Sequence, residues 1–304
     1  MIKFESYLKD IHHYFPGLNI FSIQETGEGD NSRAFEINDK YIFRFPKRED
    51  VKNQLKKETD VLPKIRKHLS LAIPDFKFIS PTLSFAAHSK ISGIPLSFKR
   101  FYSLEKTRQV NIQHSLSDFL TQLHGISLAG LQNCGLEVMD MKEEYSANFF
   151  NTKQFIYPNI SDVKRTLISH LFSAYLDDPT NFNYQPALIH NDLSKDHILF
   201  DLLTGRLCGI IDFGDMAIGD PDYDYMYLYD EFGEDFLQRI LSKKRSLKPN
   251  IINKLSFFIL GNRLQILLKA IEDNNDADIK DGYRQLNALL KKQERNRSQL
   301  KFPC

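Results

Sequence analysis

Two short segments place carboxylates directly after apolar, strand-like runs. The first reads His190-Asn-Asp192-Leu-Ser194-Lys-Asp-His197, and the second reads Ile210-Ile-Asp212-Phe-Gly214-Asp215. Phosphoryl transfer needs a carboxylate that orients the acceptor hydroxyl, together with oxygen or nitrogen ligands that hold Mg²⁺ against the nucleotide phosphates. Asp192 suits the first task, and Asp212 suits the second with His197 completing the metal site. The two segments therefore predict a magnesium-dependent phosphoryl-transfer centre.

These segments resemble the catalytic loop and the Asp-Phe-Gly motif of protein kinases. They resemble the aminoglycoside phosphotransferases more closely, and among them the aminoglycoside 2″-phosphotransferases. Residues Leu188–His197 and Gly209–Asp224 of this chain match the two motifs of that group almost residue for residue. The resemblance implies an α+β, bilobal, protein-kinase-like fold. It also implies an enzyme that transfers the γ-phosphoryl group of ATP or GTP to the 2″ hydroxyl of an aminoglycoside, which confers antibiotic resistance. In that reaction Ser194 would add a hydroxyl contact beside Asp192.

The spacing of apolar residues predicts the elements that position these motifs. Short runs predict strands at 20–23, 34–37, 41–45, 76–79 and 83–87, whereas helical spacing predicts helices at 111–124, 161–176 and over much of 234–297. We therefore divide the chain into a small β-rich, nucleotide-binding N-lobe, residues 1–90, and a larger, mostly helical C-lobe, residues 91–304. The C-lobe would carry catalysis and substrate binding.

The N-lobe contains candidate phosphate-binding residues. Gly27-Glu-Gly29 lies between two predicted strands, which favours a flap over phosphates and not a dinucleotide-binding fold. By resemblance, the lysine expected on the third strand falls on Arg44, and a guanidinium can bind phosphate in a bidentate manner. We predict that Arg44 steadies the phosphates with Glu58 as its ion-pair partner, and we keep Lys47 as the alternative.

The resemblance also suggests how the base and the metal are bound. Backbone groups of Ser89 and Ile91 would bind the nucleotide base, with His88 near the gatekeeper position, and the choice between ATP and GTP stays open. His197 stands where protein kinases have Asn. A neutral imidazole can ligate a divalent metal, and the 2″-phosphotransferases share this His, so we keep it as a ligand of Mg²⁺.

The acceptor is predicted from charge. Between Asp212 and Asp235 there are nine carboxylates and no Lys or Arg, in a chain whose net charge is +1. A cleft lined in this way attracts a polycation, and aminoglycosides carry several amines. By resemblance, we expect Asp215 and Asp220 to contact the amines. Glu231 and Glu234 would join them if their helical face meets the cleft.

The overall composition limits the partners. Forty basic residues against 39 acidic ones leave no global field for nucleic acid or an anionic membrane. Three widely spaced cysteines and a charged N-terminus predict a cytoplasmic protein, which we expect to be a monomer.

Two alternatives to the aminoglycoside kinase remain open. One is a kinase of another small cationic metabolite, such as a choline-like alcohol, and the other is a catalytically silent, pseudokinase-like nucleotide-binding module.

Overall fold

The computed structural model describes residues 4–28, 31–242 and 250–299. The chain forms two compact units, and each is built from two stretches of sequence. Residues 1–137 and 190–217 form the first unit, and residues 138–189 and 218–304 form the second. These units do not test the predicted lobe boundary at residue 90, which stays a prediction.

The elements are numbered in chain order. The strands are β1 (Ile23–Glu28), β2 (Ser32–Ile37), β3 (Tyr41–Pro46), β4 (Phe76–Ile79), β5 (Ala86–Ser89), β6 (Ile94–Pro95), β7 (Ala187–Ile189), β8 (Ile198–Asp201), β9 (Arg206–Ile210) and β10 (Ala217–Gly219). The helices are α1 (Glu5–Tyr14), α2 (Glu49–Ile65), α3 (Phe98–Ser103), α4 (Lys106–His124), α5 (Met141–Asn151), α6 (Asp162–Leu176), α7 (Met226–Phe232), α8 (Glu234–Leu241), α9 (Ile251–Glu272) and α10 (Asp276–Gln299).

A five-stranded antiparallel sheet forms one part of the first unit. Its strand order is β1-β2-β3-β5-β4. Side chains alternate between the two faces of a strand, so Phe43 and Phe45 of β3 share a buried aromatic core with Phe35 and Phe85. Arg44 lies between them in sequence and therefore faces the other side of the sheet.

The first strand begins later than its apolar residues suggested. The predicted strand at 20–23 is wrong, because β1 starts at Ile23. The side chain of Asn38 explains the difference: its Oδ1 accepts hydrogen bonds from the backbone N–H groups of Phe21 and Ser22, and its Nδ2 donates to the carbonyl of Asn19. The backbone N–H of Asn38 also donates to the carbonyl of Ser22 at 3.0 Å, so residues 19–22 are held by this one residue and not by strand pairing.

The rest of the first unit supports the catalytic segments. Helix α2 follows β3 and buries Val51, Leu55, Glu58 and Leu62 along one face, at the spacing expected of an amphipathic helix. A three-stranded sheet of order β6-β8-β9 flanks residues 190–197 and 211–215, because β8 follows the first of these segments and β9 precedes the second. The same two strands therefore fix where both segments start and end.

The second unit consists mainly of helices. The predicted helix at 161–176 is observed as α6, and the predicted helical region 234–297 contains α8, α9 and α10. The predicted helix at 111–124 is observed as part of α4, which belongs to the first unit. Helix α9 is long and apolar enough, by length and composition alone, to cross a membrane. More than half of its most apolar window is buried inside the protein, as in a core helix.

Candidate functional site

Residues 190–197 form a loop that is braced by its first histidine. The imidazole of His190 is fully buried and packs 4.5 Å from the ring of Phe213. Its Nε2 lies 3.1 Å from the carbonyl oxygen of Ile211, and its Nδ1 accepts a hydrogen bond from the backbone N–H of Asp192 at 3.3 Å. His190 therefore joins the loop to the segment after β9 and braces both.

The imidazole of His197 lies between the two predicted catalytic aspartates. Its Nδ1 is 2.7 Å from the backbone oxygen of Asp192 and 3.5 Å from Oδ2 of the same residue. Its Nε2 is 3.5 Å from Oδ2 of Asp212. The hydroxyl of Ser194 lies 3.4 Å from Nδ1. The structure thus brings together Asp192, Ser194, His197 and Asp212, as predicted.

The donor set of this cluster fits a divalent cation. A carbonyl oxygen can only accept, so the Nδ1 atom of His197 carries a proton, and in the neutral ring that binds metals Nε2 presents its lone pair on the side of Asp212. A ligating histidine commonly holds its other nitrogen on a backbone carbonyl in this way. Within residues 4–28, 31–242 and 250–299, no group of three or more His, Cys, Asp or Glu side chains could hold a metal. Mg²⁺ needs only one or two protein ligands when nucleotide phosphates supply others, so His197 and Asp212 are the candidates.

Two residues of the cluster have a left-handed backbone. Asn191 has φ of 69° and Asp212 has φ of 64°, although neither is glycine. Such conformations cost about 1–3 kcal/mol each and persist only where the surroundings enforce them. One left-handed position is thus Asp212 itself, and the other directly precedes Asp192. The fold therefore holds these side chains in fixed directions.

The predicted partner of Arg44 is confirmed. Its Nη1 donates to both oxygens of Glu58, at 2.9 and 2.7 Å, and its Nη2 lies 3.6 Å from Oδ1 of Asp212. The Glu58 side chain is fully buried, and its Oε1 also accepts the backbone N–H of Phe213 at 3.0 Å. Glu58 therefore connects β3 to the segment that carries Asp212.

The charges of this centre influence each other. Burial raises the pKa of Glu58, although Arg44 opposes the shift. Burial would by itself lower the pKa of Arg44, but attraction to Glu58 and Asp212 outweighs it and the pKa is raised. Burial and the neighbouring Asp212 also raise the pKa of Asp215. Several carboxylates thus share one guanidinium, an arrangement that favours a further cation at the centre.

The other predicted phosphate-binding residues lie near the ends of the strands beside this centre. Lys47 is exposed just beyond β3, and its backbone N–H donates to Asn31 at 3.0 Å. Gly27 pairs with Ala34 in the ladder of β1 and β2, next to an irregularity in register. Gly29 lies outside the described residues. Contact of Lys47, Gly27 or Gly29 with phosphate stays a prediction, as does that of Arg44.

The predicted base-binding residues lie at the end of β5. Ser89 closes that strand, and Ile91 follows two residues later; both border an open cleft of about 450 Å³ together with Ala72 and Cys208. His88 is buried, and its Nδ1 lies 2.9 Å from the carbonyl oxygen of Ser89. Burial lowers the pKa of His88 to about 4, so the ring is neutral at physiological pH. Base binding by Ser89 and Ile91 stays a prediction.

Asp215 has partners that sequence reasoning missed. Its Oδ1 accepts a hydrogen bond from Nε2 of Gln54 on α2 at 2.8 Å, and its backbone oxygen accepts one from Nδ2 of Asn191 at 3.0 Å. The half-buried amine of Lys57, one helical turn from Gln54, also attracts this carboxylate. A hint was present in the sequence, since Gln54 and Glu58 are four residues apart and therefore share one face of α2.

The second unit contains the other predicted amine-binding carboxylates. Asp220 is fully buried and forms an ion pair with Lys254 of α9, which also lies 3.0 Å from Asp222. The prediction that Asp220 contacts a substrate amine is not supported, because its charge is already paired inside the unit. Glu231 is half-buried in α7, and Glu234 is exposed at the start of α8. Their contact with amines stays a prediction.

The comparisons with known proteins agree with this geometry. A family model described as the phosphotransferase enzyme family matches residues 22–244. The chain is 27% identical over 216 residues to the uncharacterized protein YcbJ of Bacillus subtilis (strain 168), a match covering 66% of each protein. It is 25% identical over 201 residues to viomycin phosphotransferase of Streptomyces vinaceus, covering 64% of this chain and 66% of that one. The matches thus span slightly less than two thirds of either relative.

Among solved structures, the GDP and kanamycin complex of APH(2″)-IIIa superimposes with a TM-score of 0.89 at 28% identity. The match covers 94% of this chain and 99% of that one. This agreement confirms the predicted fold class, with its small antiparallel sheet and its mostly helical remainder. It also confirms the resemblance to the aminoglycoside 2″-phosphotransferases. On the family match, the fold and the cluster around His197, this chain belongs to the phosphotransferase enzyme family.

Proposed function

We propose that this protein is a kinase of aminoglycoside antibiotics, which transfers the γ-phosphoryl group of ATP or GTP to the 2″ hydroxyl and confers resistance. The observation that carries the proposal is the position of His197 between Asp192 and Asp212, beside the buried pair of Arg44 and Glu58. Two structural neighbours point to the substrates by their names, since one is a complex with GDP and kanamycin and the other a complex with GDP.

Asp192 would position the acceptor. Its side chain is about one-third exposed, so a hydroxyl can reach it, while its backbone is held by His190 and His197. The hydroxyl oxygen forms a bond to the γ-phosphorus as the bond to the β,γ-bridging oxygen breaks. The hydroxyl proton passes to the Asp192 carboxylate, and the nucleoside diphosphate leaves with the bonding electrons. Ser194 would donate a hydrogen bond on the same side of the centre.

Asp212 and His197 would hold the metal, and Arg44 would bind the phosphates. When bound, Mg²⁺ neutralises the charge of the phosphate oxygens. Arg44 is fixed by two hydrogen bonds to Glu58, so its guanidinium reaches the phosphates with little loss of side-chain entropy. Gly27, Gly29 and Lys47 would cover the phosphates, and backbone groups of Ser89 and Ile91 would bind the base. Because the transition state of phosphoryl transfer is loose, such positioning and charge neutralisation provide most of the catalysis.

The acceptor would be recognised by carboxylates. Asp220 is already paired to Lys254, and Asp215 already accepts a hydrogen bond from Gln54. Of the predicted set, Glu231 and Glu234, which are half-buried and exposed in their unit, would therefore contact the amines. We further propose that the enzyme acts as a cytoplasmic monomer without nucleic-acid or membrane partners. The balance of 40 basic against 39 acidic residues supports the lack of nucleic-acid and membrane partners, and the three widely spaced cysteines support the cytoplasmic location.

A substrate panel tests the proposal. Purified protein with Mg²⁺ and either ATP or GTP is incubated with kanamycin- and gentamicin-type drugs, viomycin, choline and simple amino sugars, and nucleoside diphosphate release is measured. The proposal expects turnover with the aminoglycosides and a product phosphorylated at the 2″ position by NMR. Turnover with choline alone would make the protein a kinase of another cationic alcohol. Nucleotide binding without transfer to any acceptor would make it a silent nucleotide-binding module.

A further inference from the structure

The carboxylate of Asp215 is attached to helix α2 by the side chain of Gln54. Nε2 of Gln54 donates to its Oδ1 at 2.8 Å. Gln54 also packs near Gly214, where a Cβ added to that glycine would lie 3.6 Å from the Gln54 side chain. One turn further along α2, Glu58 accepts the backbone N–H of Phe213 at 3.0 Å. Two successive turns of one helix are thus hydrogen-bonded to Phe213 and Asp215, which follow Asp212.

The backbone of Asp215 is attached to the catalytic loop. Nδ2 of Asn191 donates to the backbone carbonyl of Asp215 at 3.0 Å. Asn191 itself has a left-handed backbone, with φ of 69°. Asp215 is therefore linked through its side chain to α2 and through its main chain to the residue before Asp192. Any movement of Asp215 would disturb the placement of both catalytic aspartates.

The surroundings of Asp215 do not favour a substrate amine as its partner. The carboxylate already accepts the Gln54 amide and is attracted by the half-buried amine of Lys57. An incoming ammonium group would have to compete with a cation that the protein itself supplies. The hydrogen bond from Gln54 is also of the strong kind when its acceptor is ionised.

We propose that Gln54 and Asp215 form a positioning pair, which fixes the metal-binding segment to α2, and that Asp215 is not a ligand of substrate amines. The expected effect on turnover rests on the proposed function, whereas the structural role of the pair does not. Loss of the pair would leave Asp212 less well oriented, so turnover would fall while binding of the acceptor would not change.

Five variants of the full chain test the pair kinetically: Gln54→Leu, Gln54→Lys, Asp215→Asn, the double variant of Gln54→Leu with Asp215→Asn, and the control Asn53→Leu at an exposed position of the same helix. We expect Gln54→Leu to lower kcat about tenfold, the size of a hydrogen bond to a charged group, with the KM for the aminoglycoside unchanged. The double variant should be no slower than Asp215→Asn, and Gln54→Lys, which restores a donor, should recover most of the rate. A raised KM with unchanged kcat in Asp215→Asn would overturn the proposal.

Hydrogen–deuterium exchange provides a readout that needs neither metal nor substrate. In the free protein, Gln54→Leu should accelerate exchange of the amides of residues 213–216 about tenfold, whereas Asn53→Leu should not. Unchanged exchange in Gln54→Leu would overturn the positioning role. If the parent protein transfers phosphate to no aminoglycoside, the proposed function fails, and the exchange experiment still decides whether Gln54 holds the segment.

Discussion

The Nε2 atom of His197 lies 3.5 Å from the Oδ2 atom of Asp212. Because Nδ1 donates to a backbone oxygen, the neutral ring has its lone pair at Nε2, so both facing atoms can then act as electron-pair donors. Two such atoms are stable near each other when a cation lies between them. The short distance therefore favours His197 as a metal ligand. Protein kinases have Asn at this position, so their pattern alone would not have predicted an imidazole ligand.

Substitution of His197 should therefore change the metal requirement. We expect His197→Ala to raise the Mg²⁺ concentration for half-maximal transfer by at least about tenfold, because one of two protein ligands is lost. His197→Asn should lose less, since an amide oxygen also ligates Mg²⁺. The measurement is a magnesium titration of the initial rate, with the exposed His68→Ala as control. A parent-like titration of His197→Ala would remove this residue from the metal site.

Arg44 should be required for stability as well as for nucleotide binding. In Arg44→Met the carboxylate of Glu58 is left buried without its cation, so the free energy of unfolding should fall by about 3 kcal/mol. Urea unfolding measures this loss. Arg44→Met combined with Glu58→Leu should recover much of the stability, whereas Arg48→Met, which breaks an exposed pair with Asp50, should change it little. Equal losses for Arg44→Met and Arg48→Met would contradict the account.

His88 should make stability depend on pH in the acidic range. Its pKa is about 4 in the folded protein and about 6.5 when unfolded, so the unfolded chain binds the proton first as pH falls. The stabilising contribution is complete above pH 6.5 and is lost as pH falls toward 4, with a total of about 3 kcal/mol. Urea unfolding of the parent and of His88→Gln across the range from about pH 4 to about pH 8 should show a difference that narrows at low pH. A constant difference would argue against a buried neutral ring.

Lys254 should stabilise the second unit through Asp220. Lys254→Met leaves two buried carboxylates without their cation and should lower the free energy of unfolding by roughly 3–5 kcal/mol. The matched control is Lys269→Met on the same helix, whose exposed pairs with Glu272 and Asp273 should matter little. If instead Asp220→Asn raised the KM for an aminoglycoside with no loss of stability, Asp220 would be an amine ligand after all.

The catalytic centre could be predicted from the sequence because its residues lie in two short, ordered motifs. Asp192, Ser194, His197 and Asp212 occupy fixed offsets from β7 and β9, so local spacing was sufficient to bring them together. The pair of Arg44 and Glu58 was predicted by resemblance, which placed Arg44 on the third strand and its partner on the helix that comes next. In each of these cases the partner lies within one motif or on an adjacent element.

The acidic window could not be interpreted in the same way. From Asp212 to Asp235 the sequence contains no basic residue, yet Lys254 and Arg263 of α9 pair with Asp220 and Asp230. These cations follow more than thirty residues later, and only tertiary packing brings them back. Gln54 was missed for the same reason, since 161 positions separate it from Asp215. Local charge counts therefore overestimated the carboxylates available to a substrate.

Asp192 is expected to position the acceptor hydroxyl for phosphoryl transfer, and the comparison of parent protein with Asp192→Asn tests this central role most directly. Single-turnover transfer from Mg²⁺-nucleotide to kanamycin is measured together with the nucleotide dissociation constant. We predict that Asp192→Asn slows transfer by about 10²–10⁴-fold, as expected for loss of a general base, while nucleotide affinity stays within about twofold. Equal transfer rates in the two proteins would contradict the account.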